Sequence, residues 1–139
     1  MTTPARSVLS VEDRYAIEHL YSAYNRYIDS DRIDEVELFA PDGVYVSSNT
    51  YAGRAALADF GRERAAKQAT SPLRNAQHWN GSLLFEEDGD LVRGSCYLVR
   101  FAVDRETGSQ QVVTLGHYED EIVRHAGAWV FARRQVFPA

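Results

Sequence analysis

The sequence predicts an α+β domain, with helices first and a sheet of long antiparallel strands after them. Three observations carry that expectation. Near the start, Ile17, Leu20, Tyr21, Tyr24 and Ile28 recur at helical spacing on one stripe. From Leu73 onward, alternating, β-branched and aromatic residues fill four long stretches. The breaks between them, Asp88-Gly89-Asp90, Thr107-Gly108-Ser109 and Ala126-Gly127, have hairpin composition. Helices and strands segregated in this way pack as a helical layer on one face of a sheet.

Ser10 followed by Asp13 resembles a capping box with Asp in place of Glu, and it opens a helix over about Val11 to Asp29. The Ser30-Asp31 pair caps a short second helix through Leu38. Pro41-Asp42-Gly43 is a turn signal, after which Val44 to Ser47 reads as a strand. Gly53 through about Ala69 is rich in Ala, Leu, Arg and Glu and predicts a third helix, stopped at Ser71-Pro72. The strands then run Leu73 to Glu87, Leu91 to Arg105, Gln110 to Arg124 and Ala128 to Val136. Gly81, Gly94 and Gly116 lie in or beside them, where glycine commonly marks a bulge or a bend that curls a sheet.

With 139 residues and no internal repeat, low-complexity tract or linker, the chain reads as one domain over residues 1–139, with about 1–9 as a loose N-terminal tail. The formal charge of −5 is scattered, and no dense run of Lys or Arg follows a phosphate backbone or an anionic membrane, which argues against nucleic acid and membrane partners. Cys96 is the only cysteine, so neither an intrachain disulfide nor a multi-cysteine zinc cage is available. The first ten residues lack the apolar core of a signal peptide, and Arg100 interrupts the most apolar stretch, Tyr97 to Val103. A soluble cytoplasmic protein is expected.

The order of elements, together with Tyr24-x-x-x-x-Asp29, Asp42-Gly43, Tyr51-x-Gly53, Gln77-His78, Gly116-x-Tyr118-x-Asp120 and Gly127-x-Trp129, resembles the SnoaL-like, nuclear transport factor 2-like superfamily over nearly the whole chain. The resemblance implies a cone-shaped α+β barrel, its N-terminal helices packed on a strongly curved antiparallel sheet around one pocket. Within the superfamily the chain is most similar to the branch of scytalone dehydratase, lindane dehydrochlorinase and bile acid 7α-dehydratase, which eliminate water or HCl through an Asp-His pair. Asp29 and His78 match that pair, and Tyr24 stands where the bile acid enzyme has a catalytic tyrosine. Arg134 falls where the dehydrochlorinase has a pocket arginine, and Tyr118, Leu98 and Asn80 are assigned to the pocket wall. Two positions depart from the pattern: Ala102 or a neighbour replaces a second catalytic histidine, and Arg100, also assigned to the pocket, replaces a late-strand aspartate. Relatives form dimers or trimers through the outer sheet face, where Trp79, Val113 and Val123 would supply an apolar patch.

These residues suit proton abstraction beside a carbonyl. Imidazole, with an ordinary pKa of about 6.5, is a base at neutral pH if one ring nitrogen is held as a donor. Asp29 would accept that hydrogen bond, and Tyr24 would donate to the carbonyl or departing hydroxyl. From the residues alone, each has a bland counterpart. A carboxylate in the last turn of a helix opposes the macrodipole by about 0.3–1 kcal/mol, yet Asp29 also fits a local Asp-Ser-Asp turn. Strand alternation puts Ala76, His78 and Asn80 on a small polar face, but a lone strand histidine is commonly a satisfied core or surface group. A tyrosine on an apolar helix stripe commonly packs in the core with its hydroxyl at the rim. Alternation sends His117 away from the pocket, and His19 and His125 read as solvated. Asp29 and His78 find no third ligand at matching spacing for a metal, and no phosphate loop or nucleophile elbow calls for a cofactor. The expectation is a cofactor-independent lyase or isomerase acting on a hydrophobic polyketide-, steroid- or aromatic-type molecule. A non-catalytic binding domain and a polyketide cyclase are the rival readings.

Overall fold

A computed structural model describes residues 9–139. The expected loose tail lies outside the described residues except for Leu9, which packs against the core. The chain runs α1 (Val11–Asp29), a 3-10 turn (Ile33–Glu35), β1 (Phe39–Val46), β2 (Thr50–Ala52), α2 (Arg54–Thr70), β3 (Leu73–Asp88), β4 (Leu91–Asp104), β5 (Gln110–His125) and β6 (Ala128–Pro138). The six strands form one sheet in the order β2-β1-β6-β5-β4-β3, curled but not closed, with the helices packed on it. Every neighbouring pair is antiparallel except β1 and β6, which run parallel.

Helix α1 starts where Ser10 Oγ accepts the Asp13 backbone N–H at 3.0 Å. Only this half of the expected capping box forms. The Asp13 carboxylate instead accepts from Arg124 at 2.5 Å and from the Trp129 indole N–H at 3.2 Å, pinning the helix start to β5 and β6. The apolar stripe of α1 is buried as its spacing requires, with Ile17, Leu20, Tyr21, Tyr24 and Ile28 each at most 4% exposed. It packs on Phe85, Val92, Cys96, Ile122 and Phe131 from four strands. Burying side chains of this size contributes about 1.5–3 kcal/mol each, far more than helix propensity does, so packing on the sheet holds α1 in place.

The second helix ends sooner than its sequence suggests. Only Ile33–Glu35 is helical, because Val36 is already extended and the chain enters β1 at Phe39. Pro41-Asp42-Gly43 does turn, but inside β1: pairing with β6 holds at Phe39, lapses, and resumes at Val44. A Cβ at Gly43 would stand 2.9 Å from both Phe39 Cβ and the Ala40 carbonyl, so the loop needs glycine there.

Strand β3 curls the edge of the sheet through two bulges, each opposing three residue steps to two on β4. Their extra residues, Asn75 and Ser82, sit in the left-handed region at φ of 54°. The first bulge lies between Arg74 and Gln77 and the second between Gly81 and Leu84, so the segment carrying His78 is bracketed by both. Gly81 thus borders a bulge, as its sequence suggests. Gly94 and Gly116 do something else: both are in regular register, and the missing Cβ admits the Tyr21 hydroxyl at Gly94 and the Phe137 carbonyl at Gly116.

A fully buried ion pair crosses the core beneath α1. Arg134 Nε donates to Asp120 Oδ1 at 3.1 Å, and Tyr21 donates its hydroxyl proton to Asp120 Oδ2. The Arg134 guanidinium lies 3.6 Å from the ring centroid of Tyr118, 4.3 Å from that of Tyr24 and 4.5 Å from that of Phe131. Its two terminal nitrogens have no hydrogen-bond partner, so aromatic faces take their place. Burial works against the charge, but the Asp120 carboxylate and the surrounding phenols hold the Arg134 pKa above its ordinary value.

Candidate active site

The sheet and the two helices leave a cavity of about 620 Å³, bordered by Tyr45 of β1, Arg64 of α2, His78 of β3, Leu98 and Arg100 of β4, and Tyr118 of β5. Val136 and Pro138 of β6 extend its apolar wall. Among the sequence-predicted residues, His78, Leu98, Arg100 and Tyr118 therefore share one space.

Asp29 stands behind His78. The end of α1 brings its carboxylate against β3, where Oδ2 accepts the His78 backbone N–H at 3.0 Å and Oδ1 meets the ring Nδ1 at 2.5 Å. A carboxylate next to Nδ1 places the ring proton on that nitrogen, leaving Nε2 with its lone pair. Nε2 has no hydrogen-bond partner among the described residues. The two side chains are 18% and 8% exposed, so their contact is little screened by solvent. Burial lowers the His78 pKa from its ordinary value. The Asp29 hydrogen bond and charge pull it back only in part, while the Arg64 and Arg100 guanidiniums push it further down. A neutral imidazole at neutral pH is the form that can take a proton.

Three expected pocket residues lie elsewhere. Tyr24 does not border the cavity: it is 1% exposed, with its ring packed edge-on against Phe131 and over the Arg134 guanidinium. Burial raises its pKa well above the ordinary phenol value. The phenols that do border the cavity are Tyr45 and Tyr118. Burial raises the pKa of both, and the Arg134 charge acts in the opposite direction. Arg134 is not a pocket wall, because alternation along β6 turns it under α1 toward Asp120. Asn80 borders a second groove beside α1, which Asp29 and His78 also line, and there it accepts from the Asn25 amide at 2.8 Å and donates to the Tyr97 carbonyl at 3.3 Å.

Tyr45, Arg64 and Thr114 also border the cavity and were missed in the sequence. Tyr45 sits in the strand predicted from Val44, whose alternation was the only available signal. Arg64 had none, since an arginine within a polar helix is ordinarily solvated. Ala102 is 3% exposed and does not border the cavity. His117 stacks on Phe137 at 4.8 Å and does not border the cavity. Among the described residues, no three of His, Cys, Asp or Glu converge as metal ligands, and no helix is long and apolar enough to cross a membrane.

The outer sheet face carries Trp79, Tyr97, Val112 and Leu115, each more than half exposed. Val113, expected in this patch, is half-buried. A register shift between β4 and β5 falls between Val112 and Thr114, and it is Val112 that faces out. Val123 is also half-buried.

Solved structures share this architecture. An NTF2-like protein with a cystatin-like fold from Novosphingobium aromaticivorans aligns with a TM-score of 0.75 at 26% identity, over 91% of this chain and 81% of that one. A protein provisionally named scytalone dehydratase from the same organism aligns with a TM-score of 0.76 at 18% identity, over 93% and 85%. ActVI-ORFA from Streptomyces coelicolor aligns with a TM-score of 0.83 at 16% identity, over 93% and 96%. No curated protein matches the sequence. The SnoaL-like domain model matches residues 9–135, which hold both helices and nearly all of the sheet, and the chain belongs to the SnoaL-like family.

Proposed function

We propose that this protein is a cofactor-independent lyase or isomerase that removes a proton beside a carbonyl in a hydrophobic small molecule. The observation that carries the reading is the contact of Asp29 with His78 Nδ1, which leaves Nε2 unpaired on a side chain that borders the cavity. Nε2 takes the α-proton, and the electron pair moves onto the carbonyl oxygen as an enolate. Collapse of the enolate expels a β-hydroxyl, which leaves as water after receiving a proton, or else returns the proton elsewhere as an isomerisation. Asp29 stabilises the imidazolium formed on the way. Tyr45 and Tyr118 are the phenols at the cavity that can donate to the substrate oxygen. The similarity to a protein provisionally named scytalone dehydratase fits this class of reaction.

The test is a screen of β-hydroxy-ketones of polyketide, steroid and aromatic type for loss of water. His78→Ala should lower turnover by about 10²–10⁴-fold while the circular dichroism spectrum is kept. Unchanged turnover in that variant would end the proposal. A non-catalytic binding domain is the second reading, favoured by the lack of a histidine at Ala102 or its neighbours, where scytalone dehydratase has a second catalytic one. A polyketide cyclase would use the same base on a longer substrate. The apolar outer face supports a homodimer or homotrimer, to be read by light scattering, and the single buried thiol of Cys96 suits a reducing cytoplasm.

A further inference from the structure

The cavity holds two guanidiniums that meet no carboxylate. Arg64 comes from α2 and Arg100 from β4, and both border the cavity beside His78. The Nε atom of each is shut off from solvent without a hydrogen-bond partner, and neither side chain joins an ion pair among the described residues. Arg14, Arg32, Arg54, Arg62, Arg93, Arg124 and Arg134, by contrast, each meet a carboxylate. No Asp or Glu borders the cavity. Asp29 sits behind the imidazole with both oxygens engaged by His78.

With His78 neutral, Arg64, Arg100 and Asp29 together leave one uncompensated positive charge. Burial, and then the neighbouring Arg64 charge, lower the Arg100 pKa, so the two cations are close enough to oppose each other. A monoanion between them would remove both the repulsion and the unmet N–H groups. Guanidinium presents Nε–H and Nη–H as a planar fork matched to two carboxylate oxygens. A dianionic phosphate would overshoot the charge.

We propose that Arg64 and Arg100 form a carboxylate clamp, and that the ligand of this cavity is an apolar molecule carrying one carboxylate, its body against Leu98, Val136 and Pro138. The clamp deepens the function proposed above. It rests on that reading for the site and not for turnover.

The test compares 2-naphthoate with 2-naphthamide, which has nearly the same shape without the charge, by isothermal titration calorimetry. The native protein should bind the carboxylate about tenfold or more tightly than the amide. Arg64→Gln and Arg100→Gln should each remove most of that preference while leaving amide affinity within about twofold, which shows the cavity intact. The carboxylate should also move the His78 imidazole resonances in NMR spectra. Equal affinity for the two probes, a preference that survives in both variants, no binding of either probe up to its solubility, or unmoved His78 resonances would each overturn the clamp. His78→Ala should keep the carboxylate preference while turnover falls as stated above, so failure of the base chemistry and failure of the clamp are read separately.

Discussion

Replacing Asp29 with Asn keeps the shape of the side chain and removes its charge, which isolates what the carboxylate does to His78. In the native protein burial has already lowered the His78 pKa, with Asp29 opposing that shift across a 2.5 Å contact between side chains 18% and 8% exposed. A hydrogen bond to a charged group is worth about 1.5–3 kcal/mol, and little of it is lost to screening at this depth. Neutralising Asp29 removes that stabilisation from the imidazolium, so the His78 pKa should fall further. The assay needs no substrate: label histidine with ¹⁵N, follow the imidazole resonances by long-range ¹H–¹⁵N NMR through a pH titration, and assign His78 by its loss in His78→Ala. The other three of the four histidines report whether the fold is unchanged. If His78 titrates at the same or a higher pH in Asp29→Asn while the others hold still, the coupling argued from the geometry is wrong.

The same depressed pKa shapes stability. The unfolded chain protonates this histidine near its ordinary value, about 6.5, while the folded protein resists, so the unfolded state binds more protons in that window. Stability is fully present above about pH 6.5 and falls as the pH drops toward the folded pKa, and His78→Ala should flatten that part of a urea-unfolding series. Arg134→Met should cost about 3–5 kcal/mol by leaving Asp120 charged and buried without its cation. The double variant with Asp120→Leu should recover at least half of that loss in thermal melts, and a single variant as stable as the native protein would refute the account. Gly94→Ala should destabilise by about 1–3 kcal/mol, because the new methyl displaces the Tyr21 hydroxyl from Asp120. It should cost much less in a Tyr21→Phe background, and equal cost in both backgrounds would place the clash elsewhere.

Much of the architecture was legible because its signals are local. The cap at Ser10 and the stripe from Ile17 to Ile28 define α1, and the glycine-bearing turns delimit β3 to β6 to within two residues. What escaped depends on partners remote in sequence. Strand β2 is three residues long and exists only through pairing with β1, and the parallel contact of β1 with β6 has no local signature. Arg134 looked like a pocket cation because nothing in its own strand announces that rings from α1 and β5 will surround it. The Asp29 and His78 positions were picked out by family resemblance, since spacing alone left each with an ordinary structural explanation. Arg64 was invisible for a related reason: a helical arginine acquires meaning only when a cavity opens beside it.

The parallel seating of β6 beside β1 also governs how this molecule can assemble. Tyr45 and Val136 face the same hollow, yet one emerges early in synthesis and the other late. Until β6 docks, β1 and β5 are both bare edges able to recruit strands from other chains. Such non-local closure is kinetically slow, on the order of milliseconds to seconds in small domains dominated by distant pairings. A nascent chain halted before Ala128 is therefore expected to be held by chaperones or to aggregate, and its binding hollow would be one of the last features to take shape.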